Sequence, residues 1–154
     1  MILPEWDTRI YDVVDACSKF CDEADYPLTF SRTNTLFSLY YVFKDPNAAI
    51  IVDYTEDVLN GFAILQRTNE AHEEYLGYIN KFYVVPSRRH TRAAYRLMDV
   101  IVEWFDNKEC ILSFANSMAR IGKDRAFIKL LSRFNYEATD TGTFIRKLNN
   151  ESTI

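Results

Sequence analysis

The stretch PSRRHTRAAYR, residues 86–96, carries Arg88, Arg89, His90, Arg92 and Arg96 in a chain whose formal net charge is -4. It follows FYVV, an aromatic and β-branched run closed by Pro86, and leads into alanines and leucine-type residues. Basic side chains placed where a strand hands over to a helix suit the binding of a phosphate-like anion. The first helical amides have no intrahelical acceptor, and the helix dipole adds positive potential at that end. Without an anion, like charges gathered there oppose the dipole by roughly a few tenths of a kcal/mol each. The competing reading is a solvated corner whose arginines pair with surface acids. The acidic balance argues against general nucleic-acid binding, so Arg88 to Arg96 form at most a local basic patch. Cys17, Cys21 and Cys110 have no metal-ligand spacing and read as small core residues of a reducing compartment.

The elements that must position this turn follow from periodicity. At 154 residues, 48% hydrophobic and 26% charged, the chain fits one domain, residues 1–154, with a sizeable core. Ile10, Val13, Val14, Cys17, Phe20 and Cys21 recur at helical spacing, predicting a helix over Pro4 to Asp25 with Pro4 in its first turn. A second helix, capped by Ser31 or Thr33, carries Leu36, Leu39, Tyr40 and Phe43 and ends at KDPN. AAIIVDY and VLNGFAILQR are two antiparallel strands turning at Thr55 to Asp57. EEYLGYINKFYVV is a third, closed by Pro86. Helical spacing returns from Thr91 to Phe105, CILSFA reads as a strand covered on both faces, and Arg125 to Phe134 as a last helix. A closing hairpin has Gly142 in its turn. The order αα-βββ-α-β-α-ββ predicts an α/β (α+β) fold, one mixed sheet flanked by helices. No run of about 18 apolar residues occurs and the first residues carry acids, so a cytoplasmic location is expected.

From Pro4 to Leu148 the sequence resembles the GNAT superfamily of acyl-CoA-dependent N-acyltransferases. FYVVP at Phe82 to Pro86 matches the end of that family's cofactor strand. Arg89, Ala94 and Leu97 fit the phosphate-loop pattern that follows, while His90 and Arg92 stand where glycine is usual. The family's opening strand is missing or very short here. The resemblance is greatest to short GNAT-like proteins of tailed bacteriophages.

The resemblance implies acetyl-CoA as co-substrate, no metal, and direct attack of a neutral amine on the thioester where two strands splay apart. Phe82, Tyr83 and Val84 would hold the pantetheine arm through their backbone, and the amide of Tyr83 or Val84 would polarise the thioester carbonyl. Arg89, His90, Thr91, Arg92, Ala93 and Ala94 would hold the pyrophosphate, with Lys123 and Arg125 nearer the nucleotide. Where the family carries a proton-donating Tyr, this chain has Leu131, and Asn135 takes the place of the Gly that caps that helix. Glu74 is the implied general base, with His72 and His90 as further candidates by pKa. Acceptor choice would reside in Tyr26 to Asn47 and Thr68 to His72. The implied function is N-acetylation of a primary amine on a protein or small molecule. The alternative is a catalytically degenerate member serving as a structural, assembly or host-interaction module, with a protein partner or virion as its setting. A second copy of the chain is a further expected partner.

Overall fold

Each apolar run along the first two strands must satisfy two layers of helix at once, and alternation at a period of two does so. The computed structural model of the chain describes residues 1–25, 27–116, 125–140 and 142–148. In chain order these form α1 (Ile10–Ala24), α2 (Arg32–Lys44), β1 (Ala48–Thr55), β2 (Val58–Thr68), β3 (Tyr75–Val84), α3 (Ala93–Asn107), β4 (Cys110–Asn116), α4 (Arg125–Arg133), β5 (Glu137–Ala138) and β6 (Thr143–Lys147). A short 3-10 turn, Pro86–Arg88, lies between β3 and α3. The sheet order is β1-β2-β3-β4-β6-β5, with every pair antiparallel except β3 and β4. This is the expected order and the expected mostly antiparallel mixed sheet.

Ile50, Val52, Phe62 and Tyr83 pack on the face covered by α1 and α2. Ala49, Ile51, Ala63 and Leu65 pack on the opposite face beneath α3 and α4. Neighbouring residues thus bury on opposite sides. Phe62 and Phe105 are almost wholly buried, one on each face, and each contributes on the order of 1.5–3 kcal/mol by leaving water. Ends are fixed locally. Ser31 Oγ accepts from the Asn34 amide at 3.2 Å, capping α2 as expected. Asn135 takes φ 66 after α4, the left-handed cap expected of it. The turn between β1 and β2 falls at Glu56 and Asp57, within the expected segment.

The start of α1 differs from expectation. Trp6 adopts φ 64 and the Asp7 carboxylate accepts from the Arg9 amide at 2.9 Å, so Pro4 belongs to a turn and the helix begins at Ile10. Upstream, Ile2 bridges Ile51 and the Leu3 amide donates to Ile50 O at 2.8 Å. A very short strand-like segment therefore precedes α1 along the edge of β1. The three cysteines are free thiols, Cys17 and Cys110 buried. Among the described residues no helix is long and apolar enough to cross a membrane, and no group of side chains is arranged to hold a metal ion.

Gly61 lies opposite Val84, and a Cβ built on it would stand 2.4 Å from Tyr83 O and 3.1 Å from Leu97 Cδ1. Because the nearer atom is backbone in a paired strand, relief requires moving β2 off β3. Gly61→Ala is expected to cost about 1–3 kcal/mol, read as a lower urea midpoint with unchanged m-value.

Candidate active site

β3 changes neighbours halfway along its length. Leu76 to Ile79 pair with both β2 and β4, the last β3–β4 partners being Ile79 and Ala115. At that point the β2 register passes from Leu65↔Ile79 to Ile64↔Lys81, leaving Asn80 as an extra residue. Such a bulge bends and twists the strand that carries it. Beyond Asn80, β3 keeps β2, and among the described residues, which end on β4 at Asn116, it has no further partner on the β4 side.

The orientation of the released backbone follows from alternation. The Val85 amide donates to Asn60 O at 2.8 Å, so odd-numbered residues of this segment turn their amides toward β2 and even-numbered ones toward the gap. The contact between Gly61 and Tyr83 O agrees. Of the two amides considered for polarising a thioester, Val84's faces the gap and Tyr83's faces β2. The amide of Phe82 faces the gap as well. The Phe82 ring packs against Phe127 of α4, with centroids 5.0 Å apart.

The basic turn is sorted by two acids that the sequence reading did not single out. Arg89 Nε donates to Val84 O at 3.0 Å, its Nη2 donates to Glu23 Oε2 at 2.6 Å, and its guanidinium lies over the Tyr83 ring. Glu23 Oε1 accepts from the Tyr83 hydroxyl at 2.5 Å. Arg96 makes a paired contact with Asp53, both distances 2.9 Å, and Asn60 supports the same carboxylate. Arg89 and Arg96 are thus neutralised by partners distant in sequence. Arg88 and Arg92 form no ion pair among the described residues, and Arg92 and His90 are exposed. Arg92 has φ -83, so a side chain there strains nothing.

At the start of α3, Thr91 Oγ1 accepts from the Ala93 amide at 3.2 Å. The amides of Ala94 and Tyr95 meet no acceptor among the described residues, the first helical bond being Arg96 N to Arg92 O at 3.0 Å. Two donors and two guanidiniums with no ion pair among the described residues therefore lie in the turn and first helical residues that follow the end of β3. That donor set fits a diphosphate.

The other candidates are placed differently. Glu74 is exposed in the bend before Tyr75, six residues from Asn80, which along a strand is about 20 Å. The structure does not bring it to the gap. His72 lies in the same exposed turn. Leu131 is fully buried in the core beside α3, so no side-chain acid stands at that position. Arg125 is exposed at the first turn of α4, and Lys123 and Tyr26 lie outside the described residues.

Glu23 is not a base in reserve. Burial alone would raise its pKa, but the hydrogen bonds from Tyr83 and Arg89 and the charge of Arg89 outweigh it and hold the carboxyl below 4.5. The Tyr83 hydroxyl is pushed up, first by burial and then by its bond to Glu23.

On the α1–α2 side of β3 lies an open cleft of about 410 Å³. It is bounded by both helices, by the segment Leu28 to Ser31, and by Asn80 and Lys81 at the bulge. The cleft reaches β3 at Asn80 and Lys81, where the described pairing of β3 with β4 ends.

Comparison with known proteins agrees with this geometry. Residues 9–122 match the model of the Acetyltransferase (GNAT) family, and the chain belongs to that family. Its structure is similar to a GNAT-family acetyltransferase from Staphylococcus aureus Mu50, with TM-score 0.71 at 10% identity, covering 97% of this chain and 99% of that one. It is also similar to AAC(6')-Iy in complex with the bisubstrate analog CoA-S-monomethyl-acetylneamine, with TM-score 0.69 at 15% identity over 91% and 90% of the two chains. A third similar structure is the ribosomal-protein-alanine N-acetyltransferase of Brucella melitensis biovar Abortus 2308, with TM-score 0.65 at 18% identity over 91% and 92%. Among curated proteins none matches the sequence.

The clamp on Arg89 makes a pH test. A carboxyl depressed on folding stabilises above its unfolded pKa, near 4.5, and that contribution fades as pH falls through the lower folded value. Glu23→Gln is expected to lower Tm at pH 7 and to narrow the difference from wild type below about pH 4. Thermal melts from pH 3 to 8 check this, and equal losses at all pH values would remove the electrostatic explanation.

Proposed function

We propose that this chain transfers the acetyl group of acetyl-CoA to a primary amine of a small molecule or protein. The observation that carries the reading is a single line of donors. Among the described residues, the edge of β3 from Phe82 to Val84 has no strand on its β4 side, and the chain leads from it to the amides of Ala94 and Tyr95, which meet no acceptor there, beside Arg88 and Arg92.

Acetyl-CoA supplies an acyl group already activated as a thioester. Phe82 and Val84 hold its arm as an added strand through their gap-facing backbone. His90 to Ala94 and the guanidinium of Arg92 hold the pyrophosphate, while Arg89 orders the turn through Val84 and Glu23. The Val84 amide donates to the carbonyl oxygen under attack. The amine nitrogen bonds to the carbonyl carbon, the C–S bond breaks, the surplus proton passes to water, and the departing sulfur is protonated from water. No side chain at position 131 assists the last step. General acids typically contribute about 10²- to 10⁴-fold, so turnover is slow unless alignment of amine and thioester compensates.

The buried Leu131 also favours a second reading, in which the fold keeps acetyl-CoA binding and has lost transfer. Calorimetry and a CoA-thiol release assay separate the two. Micromolar acetyl-CoA binding with amine-dependent thiol release supports the transferase, binding without release supports the second reading, and no binding at millimolar ligand removes both. Arg92→Glu is expected to weaken acetyl-CoA binding by about tenfold or more at low salt, with a smaller loss at high salt.

A further inference from the structure

The cleft at Asn80 and Lys81 has a size usual for small-ligand sites, which span about 300–1,000 Å³. Its floor is apolar, from Cys17, Leu39, Val42 and Ile64. Its rim is made of hydroxyls and one amide from the first turns of α2. Two of those hydroxyls are committed: Thr35 Oγ1 donates to Ser31 O at 2.8 Å and Ser38 Oγ donates to Asn34 O at 3.0 Å. Ser31 Oγ already accepts the Asn34 amide and keeps its own proton to give.

The charge of this cleft is one-sided. Among the described residues that line it there is no aspartate or glutamate, and Lys81 is its cation. Of the acids on α1, Glu23 is engaged with Tyr83 and Arg89, and Asp15 with Arg32 at 2.5 Å. The field of Lys81 reaches the floor, where it opposes the effect of burial on the Cys17 thiol. A polycationic acceptor would meet an ammonium with no carboxylate to offset it.

We propose that the acceptor taken in this cleft is an amine with an apolar body and a carboxylate, of which a free apolar amino acid is the simplest member, and that Lys81 selects it by pairing with the carboxylate. This rests on the transferase reading above and specifies its substrate class. The apolar body lies on the floor between α1 and α2, and the carboxylate faces Lys81. Lys81 is one residue past the bulge, where the described pairing of β3 with β4 ends, so a carboxylate held there places the α-amine beside that stretch of β3. The same positive charge favours loss of the ammonium proton, which attack on a thioester requires.

The test compares matched acceptors at saturating acetyl-CoA by thiol release: leucine and phenylalanine, their amides, and spermidine. The free acids are expected to exceed their amides by about tenfold in kcat/KM and to exceed spermidine. Lys81→Ala is expected to remove the preference by raising KM for the acids while leaving KM for the amides within about twofold, the loss of its charge lowering kcat for both alike, Lys81→Arg to retain the preference, and Lys81→Glu to reverse it toward the amides and spermidine. Preference for spermidine in the wild type, or equal effects of Lys81→Ala on acids and amides, overturns the proposal. Acetyl-CoA binding to wild type and to Lys81→Ala is measured alongside by calorimetry. Intact binding with no release from either amino acid overturns the acceptor class alone, whereas absent binding to the wild type overturns the transferase reading beneath it.

Discussion

One extra residue, Asn80, decides what the sheet can do. A strand buried between two neighbours satisfies its amides on both sides, and an interior strand that loses one neighbour leaves donors and acceptors that water or a ligand must meet. Among the described residues β3 is such a strand beyond Ile79. It remains straight enough to keep β2, because Gly61 allows the two backbones to approach and Val85 stays bonded to Asn60. Its described pairing with β4 ends where the bulge turns it. The result is an edge inside the fold, aimed by alternation so that Phe82 and Val84 present their amides to it. An extended chain with carbonyls and amides of its own is the natural occupant of such an edge.

The end of that edge is tuned by acids from two other elements. A cluster of arginines at a helix N-terminus is self-repelling, and the fold relieves it selectively. Glu23, from the last turn of α1, takes Arg89, and Asp53, from β1, takes Arg96. What is left positive is the rim formed by Arg88 and Arg92, next to the two unpaired amides. The basic turn is therefore in part the anchored corner its sequence suggested, and Arg88 and Arg92 are the part that the proposed acetyl-CoA site would use. Because Glu23 also holds the Tyr83 hydroxyl, the α1 face of β3 and the turn above it are tied through one carboxylate. A shift of α1 would disturb both.

Those features differ in how far the sequence revealed them, and the difference is one of range. The strand run Phe82 to Pro86, the helical spacing after Thr91, the cap at Asn135 and the turn before Val58 are local, and each was legible from a few neighbouring residues. The partners of Arg89 and Arg96 lie far away along the chain, in a helix and a strand whose own patterns give no sign of them. The bulge is legible only in hindsight, as the polar pair Asn80-Lys81 interrupting an aromatic strand. The start of α1 was obscured because Pro4 fits a first helical turn, whereas the positive φ of Trp6 and the side-chain bond from Asp7 hold the chain in another turn first. Glu74 had the right chemistry, but at the wrong end of its strand.

The two sides of the β3 opening also differ in what they offer the reaction. On the α3–α4 side the position of a proton donor is filled by Leu131, buried in apolar contacts, so the departing sulfur gains nothing from the protein there. A thiolate leaves without help far more readily than an alkoxide or an amide would, because its conjugate acid is the strongest of the three. Nucleophile supply is the harder demand, since an aliphatic amine is mostly protonated at neutral pH and only its neutral form attacks. Lys81 stands on that side. A fixed cation beside the acceptor amine shifts its titration toward the neutral form without removing any proton itself. Under the proposed transfer, the lack of an acid at position 131 and the cation at Lys81 would leave the protein's assistance with nucleophile supply, the step where the chemistry needs it more.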